Sequence, residues 1–182
     1  MNASAQKSGI GFTLVELLIS VSIILILSGI LIPSFSGYLN NQNVLQGAEQ
    51  LKSDLRTVQN KALTRVGADT EAKYWGLKIA SDSANKYYFF NSTNNAQADC
   101  DSGSTSTASV KLPGDVIIRN GGTSFCVFFN MVNGDVNMVK PAGTGSNRIS
   151  LGYPNSGSNC RAVEVNSVGM MKLVNNVTCE TN

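Results

Sequence analysis

The sequence predicts an α+β protein in which a long N-terminal helix packs on a mostly antiparallel β-sheet. Three observations lead to this fold class. An apolar run covers residues 12–32, and an amphipathic stripe of helical period follows over residues 44–66. The rest of the chain alternates short β-prone segments with turns rich in glycine and asparagine. With 182 residues, the chain fits one membrane segment and one modest globular domain.

The apolar run is long enough to cross a membrane. Residues 12–32 would form roughly 31 Å of helix, which matches the hydrocarbon core of a bilayer. Glu16 is the one ionisable residue in this run. Since an ionised side chain at the bilayer centre costs about 2.5–3.5 kcal/mol on insertion scales, Glu16 needs a partner. The alternative is a carboxylate near the interface that reaches up to the lipid headgroups.

The residues before the run do not have the form of an ordinary secretory signal peptide. Residues 1–11 are short and polar, carry one basic residue, Lys7, and end at Gly11 directly before the apolar run. A secretory signal peptide is cut after its apolar region. A cut before the run would instead leave it attached to the product as an anchor.

Residues 11–16, with the sequence GFTLVE, resemble the processing site of type IV prepilins and type II secretion pseudopilins. The resemblance implies that a prepilin peptidase cuts between Gly11 and Phe12 and N-methylates Phe12. It also implies that Glu16 meets the amino group of a neighbouring subunit and fixes register during assembly. Pro33 matches a proline common at that point in the family. Glu16 would lie in the first helical turn, where the macrodipole favours an anion by about 0.3–1 kcal/mol.

The resemblance implies a type IV pilin-like fold in four parts. Residues 1–11 are a leader that is removed, 12–36 a transmembrane and filament-core helix, 37–66 its amphipathic half, and 67–182 a β-rich head. Pro33 removes a backbone donor and has glycines on both sides, which predicts a kink or a locally melted stretch near residues 29–37.

The amphipathic half presents one apolar face, which predicts packing on a sheet. It should end near Val66, since Arg65 suits the last turn and Gly67 suits the position after a helix. The apolar residues recur at intervals of three and four: Val44, Ala48, Leu51, Leu55, Val58 and Ala62.

The rest of the chain is predicted to form hairpins in series, with residues 91–109 as a polar loop. Turns are expected at 81–85, at 120–122, at Asn133-Gly134 and at 166–169. Strands are expected at 74–80, 86–90, 116–119, 125–129 with 128–132, 135–139, 148–152, 162–165 and 170–174. This order resembles the minor pilins and pseudopilins of the GspH/FimT type, through residues 55–62 in the helix and 163–171 in the last hairpin.

Four cysteines lie in the polar part of the chain. An even number in an exported domain favours two disulfides, with four reduced thiols as the alternative. Three connectivities are possible. We favour Cys160–Cys179, because these residues bracket a predicted hairpin, and this leaves Cys100–Cys126.

The composition argues against an enzyme. The chain has no histidine, which excludes Ser-His-Asp and Cys-His arrangements and the commonest metal ligand. Asp99 and Asp101 offer oxygens for calcium, but an EF-hand spacing is absent, and a solvated loop is the favoured interpretation. We expect no cofactor and no metal. Arg148, Arg161 and Lys172 do not cluster in the sequence, so DNA is not expected among the partners.

The sequence therefore predicts a structural subunit of a type IV pilus or a type II secretion pseudopilus. The subunit would cross the bacterial inner membrane once, with its head outside the cytoplasm. Its partners would be the prepilin peptidase/N-methyltransferase, other pilin or pseudopilin subunits, inner-membrane lipids and the assembly platform. Two alternatives stay open: a filament-associated module that binds DNA, a secreted substrate or a surface, and a membrane-anchored domain that never polymerises.

Overall fold

The computed structural model describes residues 11–80, 85–101, 106–119, 124–140, 147–154 and 160–179. The chain divides into two units, Met1–Leu39 and Asn40–Asn182. Helix α1 is Leu14–Thr64, and the short helix α2 is Gln97–Asp101. The strands are β1 Tyr74–Ile79, β2 Lys86–Ser92, β3 Ser106–Lys111, β4 Ile117–Arg119, β5 Phe125–Asn130, β6 Val136–Val139, β7 Arg148–Gly152, β8 Cys160–Val165 and β9 Met171–Val177.

The strands form two antiparallel sheets. The first has the order β3-β2-β1-β5-β6 and the second β4-β7-β8-β9. The α+β class and the antiparallel pairing are confirmed, but the expectation of one sheet was wrong. The hairpin expected between β4 and β5 was also wrong, because β4 pairs with β7 while β5 pairs with β1 and β6. The turns predicted at 81–85 and 120–122 fall mostly outside the described residues.

Three of the predicted hairpin pairings are confirmed, the first being the antiparallel pair of β1 and β2. Strands β5 and β6 pair in the register Phe129↔Val136, and Gly134 lies between them with a φ of 75° that favours glycine. Strands β8 and β9 pair in the register Val165↔Met171, across a turn in which Gly169 has a φ of 82°.

The second half of α1 holds the core of the Asn40–Asn182 unit. All six residues of the predicted apolar stripe are at most 2% exposed. They form one cluster with Trp75 and Leu77 of β1 and with Ile149 and Val163 of the second sheet. One helix face therefore contributes to the same core as both sheets, and the amphipathic pattern is explained by packing.

A second, smaller core lies on the other face of the first sheet. Phe90, Phe128 and the disulfide-bonded pair Cys100–Cys126 pack together there. Gly76 faces Phe90 across the β1–β2 pair, and a Cβ at Gly76 would lie 2.5 Å from that ring, so the ring occupies space that only glycine leaves free.

The prediction of a polar loop over residues 91–109 was wrong in three places. Strand β2 continues to Ser92, α2 occupies Gln97–Asp101, and β3 begins at Ser106. Cys100 is fully buried in the small core, so the disulfide draws this polar segment onto the sheet.

Both disulfides have the favoured connectivity. Cys160 and Cys179 are joined with a Cα–Cα distance of 5.3 Å, and Cys100 and Cys126 with 5.7 Å. Each would stabilise the fold by about 2–4 kcal/mol through the entropy it removes from the unfolded chain.

Helix α1 ends two residues before the predicted Val66. Arg65 has a left-handed φ of 55° and donates its backbone N–H to Ala62 O, and Gly67 has a φ of 68°. The left-handed residue after the last turn ends the helix, although here it is an arginine. At Pro33 the backbone stays helical, so the predicted melted stretch is not observed, and the predicted kink stays a prediction.

A buried hydrogen bond ties α1 to the first sheet. The Tyr87 hydroxyl donates to Asp54 Oδ2 at 2.5 Å, and the Tyr87 side chain is fully buried. Burial and then the hydrogen bond and charge of Asp54 raise the pKa of Tyr87 well above its usual value of 10. The protonated phenol is therefore the form that the fold requires.

This bond predicts a loss of stability at high pH. Below pH 10 Tyr87 is protonated in both states and its contribution is complete. Above pH 10 the unfolded chain releases the proton while the folded chain keeps it, so the free energy of unfolding falls by about 1.4 kcal/mol per pH unit. Tyr87→Phe should remove this slope and cost about 1–3 kcal/mol at pH 7, because Asp54 loses its donor.

Denaturant unfolding of the full chain in detergent, from pH 7 to 11, measures both effects. Tyr88→Phe is the matched control, because Tyr88 is the neighbouring, less buried tyrosine. Equal slopes above pH 10 in the wild type and Tyr87→Phe would contradict the assignment.

Candidate functional site

The first half of α1 exposes an apolar surface on all of its sides. The large apolar side chains between Phe12 and Ile30 are each 46–84% exposed. An uninterrupted apolar surface of this kind requires a partner, since isolated soluble chains rarely expose one. This segment, which we call the apolar helix segment (residues 12–30), is the candidate functional site.

The helices in the described residues can be compared with the length and apolar composition that a membrane span requires. Taken singly, none is both long and apolar enough to span a bilayer. Leu14–Ile30 and Phe35–Thr64 pass the same criterion only when they are taken together.

Thr13 and Glu16 form an N-terminal cap. The Glu16 backbone N–H donates to Thr13 Oγ1 at 3.2 Å, and the Thr13 hydroxyl lies 3.5 Å from Glu16 Oε2. Leu17 N–H donates to Thr13 O and closes the first turn. The spacing is the Thr-x-x-Glu of a capping box, and the bond from Glu16 N–H to Thr13 Oγ1 is one half of that arrangement. The Thr-x-x-Glu spacing is present in the sequence, but it is missed when Glu16 is considered only as a charge.

Two serine side chains of the segment bond to the helix backbone. Ser20 Oγ donates to Glu16 O at 2.7 Å, and Ser22 Oγ donates to Leu18 O at 2.8 Å. Hydroxyls bonded to the preceding turn do not need water. The charge of Glu16, exposed in the first turn, is a polar feature that a partner must accommodate.

Gly11 precedes the helix at a position where packing against the described residues does not require glycine. A Cβ at Gly11 would meet nothing within 4 Å among the described residues. Phe12, the next residue, is 84% exposed. The reason for a glycine at this junction therefore lies outside the packing of the described chain.

Among the remaining candidate residues, the structure brings Arg148 and Lys172 to either side of Glu164 in the second sheet. Pro33 lies within the helical backbone of α1. Asp99 lies in α2, and the described residues hold no cluster of three metal-ligating side chains. Arg148 pairs with Glu164, with Lys172 opposite Glu164 on β9, while Arg161 bonds to Asn175 and Asn41.

The helix and the antiparallel sheets together define a type IV pilin-like fold. A solved structure with this fold is the type IV minor pilin FimU of Pseudomonas aeruginosa, which matches with a TM-score of 0.52. The match covers 78% of this chain and 98% of FimU, at 9% sequence identity, so the likeness establishes the fold. No protein-family model matches the sequence, and a comparison with curated proteins found no match.

The cap predicts a measurable effect on the start of the helix. Thr13→Val removes the hydroxyl and keeps the shape, so the amide hydrogen of Glu16 should exchange roughly 2–30 times faster, as expected for a cap worth about 0.5–2 kcal/mol. Thr13→Ser keeps the hydroxyl and serves as the control. Hydrogen exchange of the full chain in detergent micelles measures it, and unchanged exchange in Thr13→Val would show that the cap is not formed.

Proposed function

We propose that this chain is a structural subunit of a type IV pilus or a type II secretion pseudopilus, of the minor pilin kind. The observation that carries the proposal is the apolar helix segment, which is exposed on all sides and leads into a pilin-like head. Its surface suits two environments in turn: lipid before assembly, and the helices of other subunits afterwards. The proposal gives the chain a structural role and no catalytic one.

Before assembly, residues 12–32 would anchor the subunit in the inner membrane, with the head outside the cytoplasm. Two features support the anchor. The apolar side chains face outward all around the helix, and the hydroxyls of Ser20 and Ser22 bond to the backbone. A helix with satisfied polar groups and an apolar surface is what a bilayer core accepts.

Processing would take place at Gly11. We propose that the prepilin peptidase cuts between Gly11 and Phe12 and methylates the new amino group. The open surroundings of Gly11 and the exposure of Phe12 support this, because a protease needs an accessible, extended segment. No described residue packs against Gly11, and recognition by the peptidase is the role that we propose for it.

Assembly would use the charge that processing creates. The amino group of Phe12 and the carboxylate of Glu16 form an ion pair between neighbouring subunits. The negative charge of Glu16 is then paired when the helix is buried in the filament. Lipid tails are as apolar as leucine, so association in the membrane depends on packing and on polar pairs. Glu16 therefore fixes the register between neighbouring subunits when the assembly platform moves them from the lipid into the filament.

Processing at Gly11 can be tested with a bulky substitution. Gly11→Val should leave the uncut precursor in the membrane, because the β-branched side chain blocks the residue before the cut. Gly29→Val is the matched control, since a Cβ at Gly29 also meets nothing within 4 Å. Intact mass of the membrane-extracted chain distinguishes the forms. A normal mature mass in Gly11→Val would overturn the proposed cleavage site.

Because Glu16 is proposed to act in assembly and not in processing, its substitution should impair assembly and leave cleavage intact. Glu16→Gln should be cut normally but enter filaments at least roughly tenfold less, because breaking a buried ion pair costs about 3–5 kcal/mol. Glu49→Gln is the control, as an exposed glutamate of the same helix within the head unit. Immunoblots of sheared filament fractions against membrane fractions give the ratio. Filament entry equal to that of the control would refute the role of Glu16.

A further inference from the structure

The last strand of the second sheet carries an irregularity opposite Arg161. Among the described residues, β9 pairs with β8 alone and so forms an edge of the sheet. The register between the two strands shifts by one residue beside Arg161, so that two residues of β9, Asn175 and Asn176, lie opposite it. Such a bulge interrupts the ladder of backbone hydrogen bonds and turns a side chain in a new direction.

Arg161 joins this bulge to helix α1. Its Nη1 donates to Asn175 Oδ1, and its Nη2 donates to Asn41 Oδ1 at 3.3 Å. Asn41 lies at the start of the part of α1 that belongs to the Asn40–Asn182 unit. The Arg161 Nε is buried and has no hydrogen-bond partner among the described residues. Because an unpaired buried donor is unfavourable, the position of the guanidinium depends on the bonds at its other two nitrogens.

A second polar contact holds the same turn of the helix. Asn43 Nδ2 donates to the hydroxyl of Tyr153, which follows β7, at 3.0 Å. The apolar stripe of α1 begins one residue later, at Val44. Residues 41–43 therefore precede the apolar core, and side-chain hydrogen bonds hold them to the second sheet. Because a single hydrogen bond contributes little net stability, this turn should respond to the loss of one partner.

The Cys160–Cys179 disulfide holds the bulged end of β9 in place. Cys160 is the first residue of β8, and Cys179 follows the last residue of β9. A Cβ at Gly152 of β7 would lie 2.5 Å from Cys160 Sγ, so this sulfur is packed tightly against the neighbouring strand. Since the bulge interrupts the ladder between β8 and β9, the disulfide is the covalent link that keeps Asn175 within reach of Arg161.

The two disulfides of the head differ in their access to solvent. Cys100 and Cys126 are both fully buried, and Cys126 lies in β5, between β1 and β6 in the first sheet. Cys179 is partly exposed. Thiol–disulfide exchange requires a thiolate to reach one of the two sulfurs. A dithiol should therefore reduce Cys160–Cys179 first in the folded chain.

We propose that the Cys160–Cys179 disulfide is a redox-sensitive hold on the first turn of α1 in the head unit. A thiolate of a dithiol reductant attacks Cys179 Sγ, and Cys160 Sγ leaves as a thiolate. The second thiol of the reductant then attacks the mixed disulfide, so the reductant becomes a disulfide and both cysteines become thiols.

The consequence of reduction passes through Arg161 to the helix. The end of β9 separates from β8, and Asn175 no longer accepts a hydrogen bond from Arg161. The guanidinium then loses its position, and its bond to Asn41 is lost with it. This inference concerns the head unit alone and does not rest on the proposed function.

Mild dithiothreitol treatment of the full chain in detergent micelles, followed by alkylation, tests the proposal. Peptide masses should show adducts on Cys160 and Cys179 while Cys100 and Cys126 stay joined. In the same sample, the amide hydrogens of residues 41–44 should exchange roughly three- to tenfold faster, the size expected for one lost hydrogen bond. Earlier labelling of the other pair, unchanged exchange at 41–44, or an equal increase throughout β5 would overturn the proposal.

Arg161→Met tests the route through this side chain while both disulfides remain intact. The variant should show the same faster exchange at residues 41–44, and dithiothreitol should then add no further increase there. Arg148→Met is the matched control, because Arg148 pairs with Glu164 on the neighbouring strand. A further increase with dithiothreitol in Arg161→Met, or the same acceleration in Arg148→Met, would contradict the role of Arg161.

Discussion

The structure depends on one helix that must satisfy two different surroundings. From Val44 to Ala62, α1 buries a single apolar face against both sheets, and this burial organises the head. From Leu14 to Ile30 the same helix exposes large apolar side chains on every side. Burial of large aliphatic side chains is worth about 1.5–3 kcal/mol each, so the first half cannot remain uncovered in water. The proposed passage from lipid to filament core follows from this constraint.

The head is held to the helix by links of different kinds. The core supplies non-directional burial, while the buried Tyr87–Asp54 bond fixes one position of α1 on the first sheet. The Cys100–Cys126 disulfide holds α2 over the small core on the outer face of that sheet.

Patterns in the sequence correctly predicted those structural elements that are determined by residues close together in the chain. The helical stripe, the Asn133-Gly134 hairpin and the last hairpin are all confirmed, because period and turn chemistry determine them. The division into two sheets was missed, since β4 pairs with β7 past two intervening strands and no local signal marks that pairing. Helix α2 was missed because its position depends on the disulfide of Cys100, a tertiary constraint. The Thr13 cap corresponds to a Thr-x-x-Glu pattern, which is a local signal that the sequence contains.

The proposed function depends on a new amino group, created next to Glu16 at the start of the apolar helix segment. The intact mass and N-terminal fragment spectrum of the chain, purified from its native membranes, test this most directly. The expected result is an N-terminus at Phe12 that carries one added methyl group. An N-terminus at Met1, or one created by a cut after the apolar run, would contradict it.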